Sequence, residues 1–127
     1  MFGIGKSNDT NFSDEIETVI GKNTQMKGSI NSSANMRIDG TVEGEIIIAG
    51  EAIIGEAGRV IGNITAGSVL ISGEVNGNIT AENKLEIMPS GKLYGDIKAS
   101  VLSIAEGALF KGQSKMEAKS TVIDKNE

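Results

Sequence analysis

Apolar and polar residues alternate along this chain in short runs, and glycine or a small polar residue separates one run from the next. The clearest run is Gly73-Glu74-Val75-Asn76-Gly77-Asn78-Ile79-Thr80-Ala81. Its phrase is a small residue, a gap, an apolar residue, a gap, Gly, a gap and Ile. It returns at Gly40–Ile46, Gly58–Ile64 and Gly91–Ile97, with weaker copies at Met26–Ile30 and Gly107–Gly112. The closing Ile falls at Ile30, Ile46, Ile64, Ile79 and Ile97, in steps of 16, 18, 15 and 18 residues. A second apolar pair precedes each phrase, at Met36-x-Ile38, Ala52-x-Ile54, Val69-x-Ile71, Leu85-x-Ile87 and Leu102-x-Ile104, and also at Thr18-x-Ile20. Ser32, Ile48, Ala66, Ala81 and Ala99 follow it at a third fixed position. Steps of two are the period of a strand with one buried face. A short unit repeated along a chain is the signature of a solenoid.

The pattern therefore predicts an all-β, single-domain parallel β-helix of about six windings. Strands of one winding stack on those of the next at about 4.8 Å. Inward residues then pile into columns, one of Ile46, Ile64, Ile79 and Ile97 and another of Val42, Val60, Val75, Leu93 and Leu109. The coil is expected over residues 17–113. Residues 1–16 and 114–127 carry no repeat position and read as disordered tails.

Composition sharpens this picture. Seventeen Gly in 127 residues is about twice the ordinary share, and the excess sits at the corners. The chain has no Cys, which removes disulfides and thiolate metal sites, and no His. A net charge of −5 argues against nucleic acid as a partner, because phosphate binding needs a basic face. No stretch approaches the roughly 20 apolar residues of a membrane span, and the start is too short for a signal peptide, so the cytoplasm is the expected compartment.

A coil exposes unpaired strand edges at its first and last windings, and such edges recruit other chains unless they are blocked. Ile20, Met26 and Ile30 lie at one end, and Leu102, Ile104, Leu109 and Phe110 at the other; together they are the candidate polymerisation interface. Phe110 is the only Phe within the repeats. In the first tail, Met1, Phe2 and Ile4 beside Lys6 form a candidate membrane anchor of shallow insertion. Ile47, Ile53, Ile61 and Leu70 fall at outward positions and are candidates for a lateral contact. Gly5-Lys6-Ser7 resembles the end of a phosphate-binding loop, but that motif's first glycine would fall before Met1. Asp39, Glu43 and Glu45 read as a solvated face. No catalytic, cofactor-binding or metal-binding residue is assigned, and no small-molecule substrate is expected.

The full register over six windings, with polar tails and a Met1-Phe2-Gly3 start, resembles the bactofilin family. That resemblance covers about residues 18–113. It implies a right-handed coil that polymerises without nucleotide into non-polar cytoskeletal filaments through head-to-head and tail-to-tail contacts. It also implies a place at the inner face of the bacterial cell membrane, with lipid and cell-wall synthesis or remodelling proteins as partners in setting cell shape. One rival is a non-polymerising adaptor on the same coil. Another is a hexapeptide-repeat acyltransferase, echoed by Ile54–Gly62, but strict six-residue steps do not persist and that chemistry relies on a histidine base.

Overall fold

Strands of three residues cannot stand alone, so they form only where a neighbour supplies the other half of every main-chain hydrogen bond. The structure, a computed structural model, describes residues 16–116 and 122–123. Fifteen strands lie among the described residues. In chain order they are β1 (Ile16–Ile20), β2 (Gln25–Lys27), β3 (Ile30–Ser32), β4 (Asn35–Ile38), β5 (Thr41–Glu43), β6 (Ile46–Ile54), β7 (Arg59–Ile61) and β8 (Ile64–Ile71). There follow β9 (Glu74–Asn76), β10 (Ile79–Ile87), β11 (Lys92–Tyr94), β12 (Ile97–Ile104), β13 (Leu109–Lys111), β14 (Ser114–Met116) and β15 (Val122–Ile123).

The pairing partner of each strand is its counterpart one winding away, and the pairs are parallel. One sheet runs β1-β4-β6-β8-β10-β12-β14, with β3 also on β6 and β15 also on β12; the other runs β13-β11-β9-β7-β5-β2. The fold is an all-β parallel β-solenoid of about six windings. The long strands β6 and β10 shift register, after Ile48 and after Ala81 respectively. Each winding thus has two runs in the larger sheet and one short strand in the smaller.

The register makes the columns continuous. Ile30 faces Ile46, then Ile64, Ile79 and Ile97. Ile20 starts a second column through Ile38, Ile54, Ile71, Ile87 and Ile104. In the third, Met26 faces Val42, followed by Val60, Val75, Leu93 and Phe110. The middle members of all three are buried, and the core of the described residues holds no polar side chain. Each fully buried side chain contributes about 1.5–3 kcal/mol.

Two expectations are corrected. Leu109, expected to top the valine column, instead faces Lys92 on the outside, and Phe110 takes the inward place over Leu93. The spacing is counted back from the corner Gly112, which matches Gly95, so Ala108 takes the place of Gly91 and Gly107 that of Ser90. The coil also does not stop at Gln113: β14 pairs with Ile97–Ala99 and β15 with Leu102–Ser103. A parallel rung needs a free main-chain edge below it, and no apolar period is required for that. Residues 1–15, 117–121 and 124–127, the remainder of both expected tails, lie outside the described residues.

The corners depend on glycine. Gly44, Gly62, Gly77, Gly95 and Gly112 all have φ between 141° and 152°, a region other residues rarely adopt. They also stack: a Cβ on Gly77 would overlap the carbonyl oxygen of Gly62, and the same holds for each member over the one beneath it. Gly28, in the first winding, shares the conformation (φ 132°) but has open space at its Cβ position. Gly28→Ala therefore carries only backbone strain, about 1–2 kcal/mol. Gly77→Ala adds an overlap that must push two windings apart, for a total of about 3 kcal/mol or more. Urea unfolding of the two variants checks this; equal losses would mean that the stacked carbonyls exert no constraint.

Candidate assembly surfaces at the coil ends

A stack of rungs has two ends, and here they differ. At the lower end β1, β2 and β3 each pair only with the winding above them among the described residues. Ile20 and Ile30 are nevertheless nearly covered, at 7% exposure each, and Met26 is half-buried against the core. At the upper end β13 is the last strand of the smaller sheet, while β12 lies beneath β14 and β15. Leu102 is buried, Ile104 and Phe110 are half-buried, and Leu109 is half-buried on the outer side of β13.

The half-buried apolar residues packed on the core are Met26, Ile104, Ala108 and Phe110, and all four belong to the first or last winding. Ala108 was not singled out from the sequence. It occupies the turn position that carries Gly58 and Gly91 in lower windings, since Ala108, Gly58 and Gly91 each donate a main-chain bond to the residue three before it.

The four candidate lateral residues do not form one patch. Ile53 and Leu70 face each other on the second run of the larger sheet, with Arg37 below and Glu86 above. Ile47, 43% exposed, lies on the first run between Asn31 and Thr65. Ile61, 38% exposed, lies on the smaller sheet between Glu43 and Asn76. Val19, missed from the sequence, is 57% exposed and stands in the column of Ile53, below Arg37.

The charged face near the lower end is internally paired. Arg37 Nε donates to both Asp39 carboxylate oxygens at 2.9 and 3.1 Å. That hydrogen bond, and then the Asp39 charge, raise the Arg37 pKa further above its ordinary value. Lys27 Nζ stands 3.7 Å from Glu43, and Arg59 Nε stands 4.0 Å from Glu74. Exposed pairs of this kind contribute at most about 1 kcal/mol each, but they reward the native register.

The family model that matches this chain is that of the bactofilins, described as polymer-forming cytoskeletal proteins, over residues 18–115. The chain belongs to the bactofilin family. Bactofilin BacO of Myxococcus xanthus is 38% identical over 102 residues, 80% of this chain and 81% of the relative. Bactofilin BacP of the same organism is 32% identical over 99 residues, 78% of this chain but 41% of that longer protein. Among solved structures, the cryo-EM reconstruction of Thermus thermophilus bactofilin double helical filaments is similar with a TM-score of 0.76 and 37% identity, covering 80% of this chain and 100% of the other. A crystal structure of a phenylalanine-to-arginine mutant of that bactofilin gives 0.58 and 36%, covering 83% and 97%.

One device of this bactofilin runs the length of its upper half. At the residue between the corner Gly and the following Ile, the main-chain N–H points down toward the winding below. Asn78 N–H donates to Asn63 Oδ1 at 3.0 Å, Asp96 N–H to Asn78 Oδ1 at 3.0 Å, and Gln113 N–H to Asp96 Oδ1 at 3.1 Å. Asn63 and Asn78 thus form a ladder built from side chain to main chain. Each rung satisfies a donor that the corner would otherwise leave to water. Asn78→Ala is expected to cost about 0.5–1 kcal/mol, the lower part of the range for one hydrogen bond because the site is exposed. A shift in the urea midpoint at unchanged slope would show it; no shift would mean that water replaces the rung fully.

Proposed function

We propose that this bactofilin self-assembles without nucleotide into non-polar filaments, by stacking coil ends upper on upper and lower on lower. The single observation that carries the reading is the position of the half-buried core residues: Met26 at one end, and Ile104, Ala108 and Phe110 at the other. A second copy brought against either end completes their burial and continues the sheets across the junction. The filament reconstruction of the Thermus thermophilus relative, 37% identical, supports the same reading. The polymerisation residues are then Ile20, Met26 and Ile30 below, and Leu102, Ile104, Leu109 and Phe110 above. Leu109 contributes from the outer face of β13, while Leu102 contributes from beneath β15.

The filament is a structural scaffold and not an enzyme, and it lies in the cytoplasm along the inner face of the cell membrane. Met1, Phe2, Ile4 and Lys6 attach it there; these residues lie outside the described ones. One copy of so short a segment binds lipid weakly, whereas a filament presents many copies and gains by avidity. Cell-wall synthesis or remodelling proteins recruited to such a line would follow cell shape. Among the described residues no helix is long and apolar enough to cross a membrane.

Phe110→Arg places a charge at the upper junction while leaving the lower windings intact. It is expected to keep β-sheet circular dichroism and to remain in the supernatant under centrifugation that pellets the wild-type protein. Pelleting at the wild-type concentration would remove the upper end from the contact. Deletion of residues 2–6 is expected to abolish co-sedimentation with anionic liposomes without shortening the filaments. Retained lipid binding would refute the anchor.

A further inference from the structure

The upper end of the coil is half covered by the chain itself, and the way it is covered is irregular. Along the second run of the larger sheet, partners recur at regular distances. Met36 faces Ala52, Ala52 faces Val69, Val69 faces Leu85 and Leu85 faces Leu102, in steps of 16 or 17 residues. The next partner of Leu102 is Val122, a step of 20. On the first run, Ala99 faces Met116 at the ordinary distance of 17. The additional three residues therefore fall between Met116 and Val122, after the repeat of the coil has ended. What recruits Val122–Ile123 is the open edge of β12, since the winding period does not bring them there.

β15 spans two residues and covers Leu102 and Ser103, half of the four-residue run from Val101 to Ile104. No strand follows above β13, so the smaller sheet stays open at this end among the described residues. The lower end has no described counterpart of β15 beneath β1, β2 or β3. Ordering a two-residue strand gains few hydrogen bonds for the chain entropy it loses, so such a strand exchanges readily. An incoming copy offers a longer edge, together with apolar side chains for Ile104 and Phe110.

We propose that β15 is a removable cap: by pairing with Leu102–Ser103 it occupies part of the upper docking edge and competes with a second copy of the chain. The proposal rests on the filament reading above. While the cap is in place the docking-competent fraction of ends is reduced, and the concentration needed for assembly rises by the reciprocal of that fraction. The upper junction is then self-limiting.

The test compares the full chain with two variants: Val122→Pro combined with Ile123→Pro, which removes the main-chain donors of β15, and a chain ending at Met116. The readout is the critical concentration from pelleting, with filament length from negative-stain microscopy. Both variants are expected to assemble at a several-fold lower concentration than the full chain. Amide exchange at Leu102, whose N–H faces β15 while that of Ser103 faces β10, is expected to be faster in both when measured below the assembly threshold. An unchanged or higher threshold, with polymer present, would overturn the cap and leave the filament reading standing. Absence of polymer from all three chains would overturn both.

Discussion

Everything in this coil depends on the column of corner glycines. Each holds a φ that other residues avoid, and each leaves vacant the space that the carbonyl oxygen of the glycine below must enter. A side chain at that point would separate two windings by more than the roughly 4.8 Å that parallel main-chain pairing allows. Close stacking at the corner is what brings Ile64 over Ile46 and Ile79 over Ile64, and so buries a column that no single winding could bury. The windings differ in length by up to three residues without harm, because the variation is taken up at the bends: one residue at the register shifts after Ile48 and Ala81, and two at the turns before the smaller sheet, where Ile54 to Val60 is a step of six and Ile71 to Val75 a step of four.

Such a structure has no intrinsic reason to end. Each winding is stabilised only by its neighbours, as in other solenoids, so the first and last windings are middle windings that lack a partner. The half-buried state of Met26, Ile104, Ala108 and Phe110 is the direct expression of that deficit. Polymerisation, the property for which the family is described, is then folding continued between chains. On the proposed reading it needs no nucleotide, since the same burial and edge pairing that hold one winding on the next can hold one chain on another. What distinguishes the two ends among the described residues is the treatment of the edge: open below, and partly occupied by β14 and β15 above.

Most of the fold is legible in the residues because the constraint is written at every turn. Gly-x-Ile recurs at Gly44, Gly62, Gly77 and Gly95, and two-residue alternation on either side leaves one choice of inward face. The misreadings occur where the repeat loses its redundancy. Counting forward from Gly107 puts Leu109 inside; counting back from Gly112 puts Phe110 there, and only the corner glycine, fixed by its neighbour Gly95, decides. The strands β14 and β15 were invisible for a different reason, since Ser114–Met116 and Val122–Ile123 are held by an edge and not by an apolar period. Outward residues were the hardest to group: Ile47, Ile53 and Ile61 look alike along the chain but fall on separate runs of the winding. Which faces lie side by side is a property of the bends, and bends of variable length hide it.

The most direct test is X-ray fibre diffraction, or high-resolution cryo-EM, of oriented assemblies grown from the purified chain without nucleotide and with a chelator present. If coils stack end to end, the strands lie across the filament, and a reflection near 4.8 Å appears on the meridian, continuous through the junctions. A 4.8 Å reflection on the equator would mean that the coils lie crosswise and join by their sides. Discrete particles with no filament at all would contradict assembly through the coil ends outright.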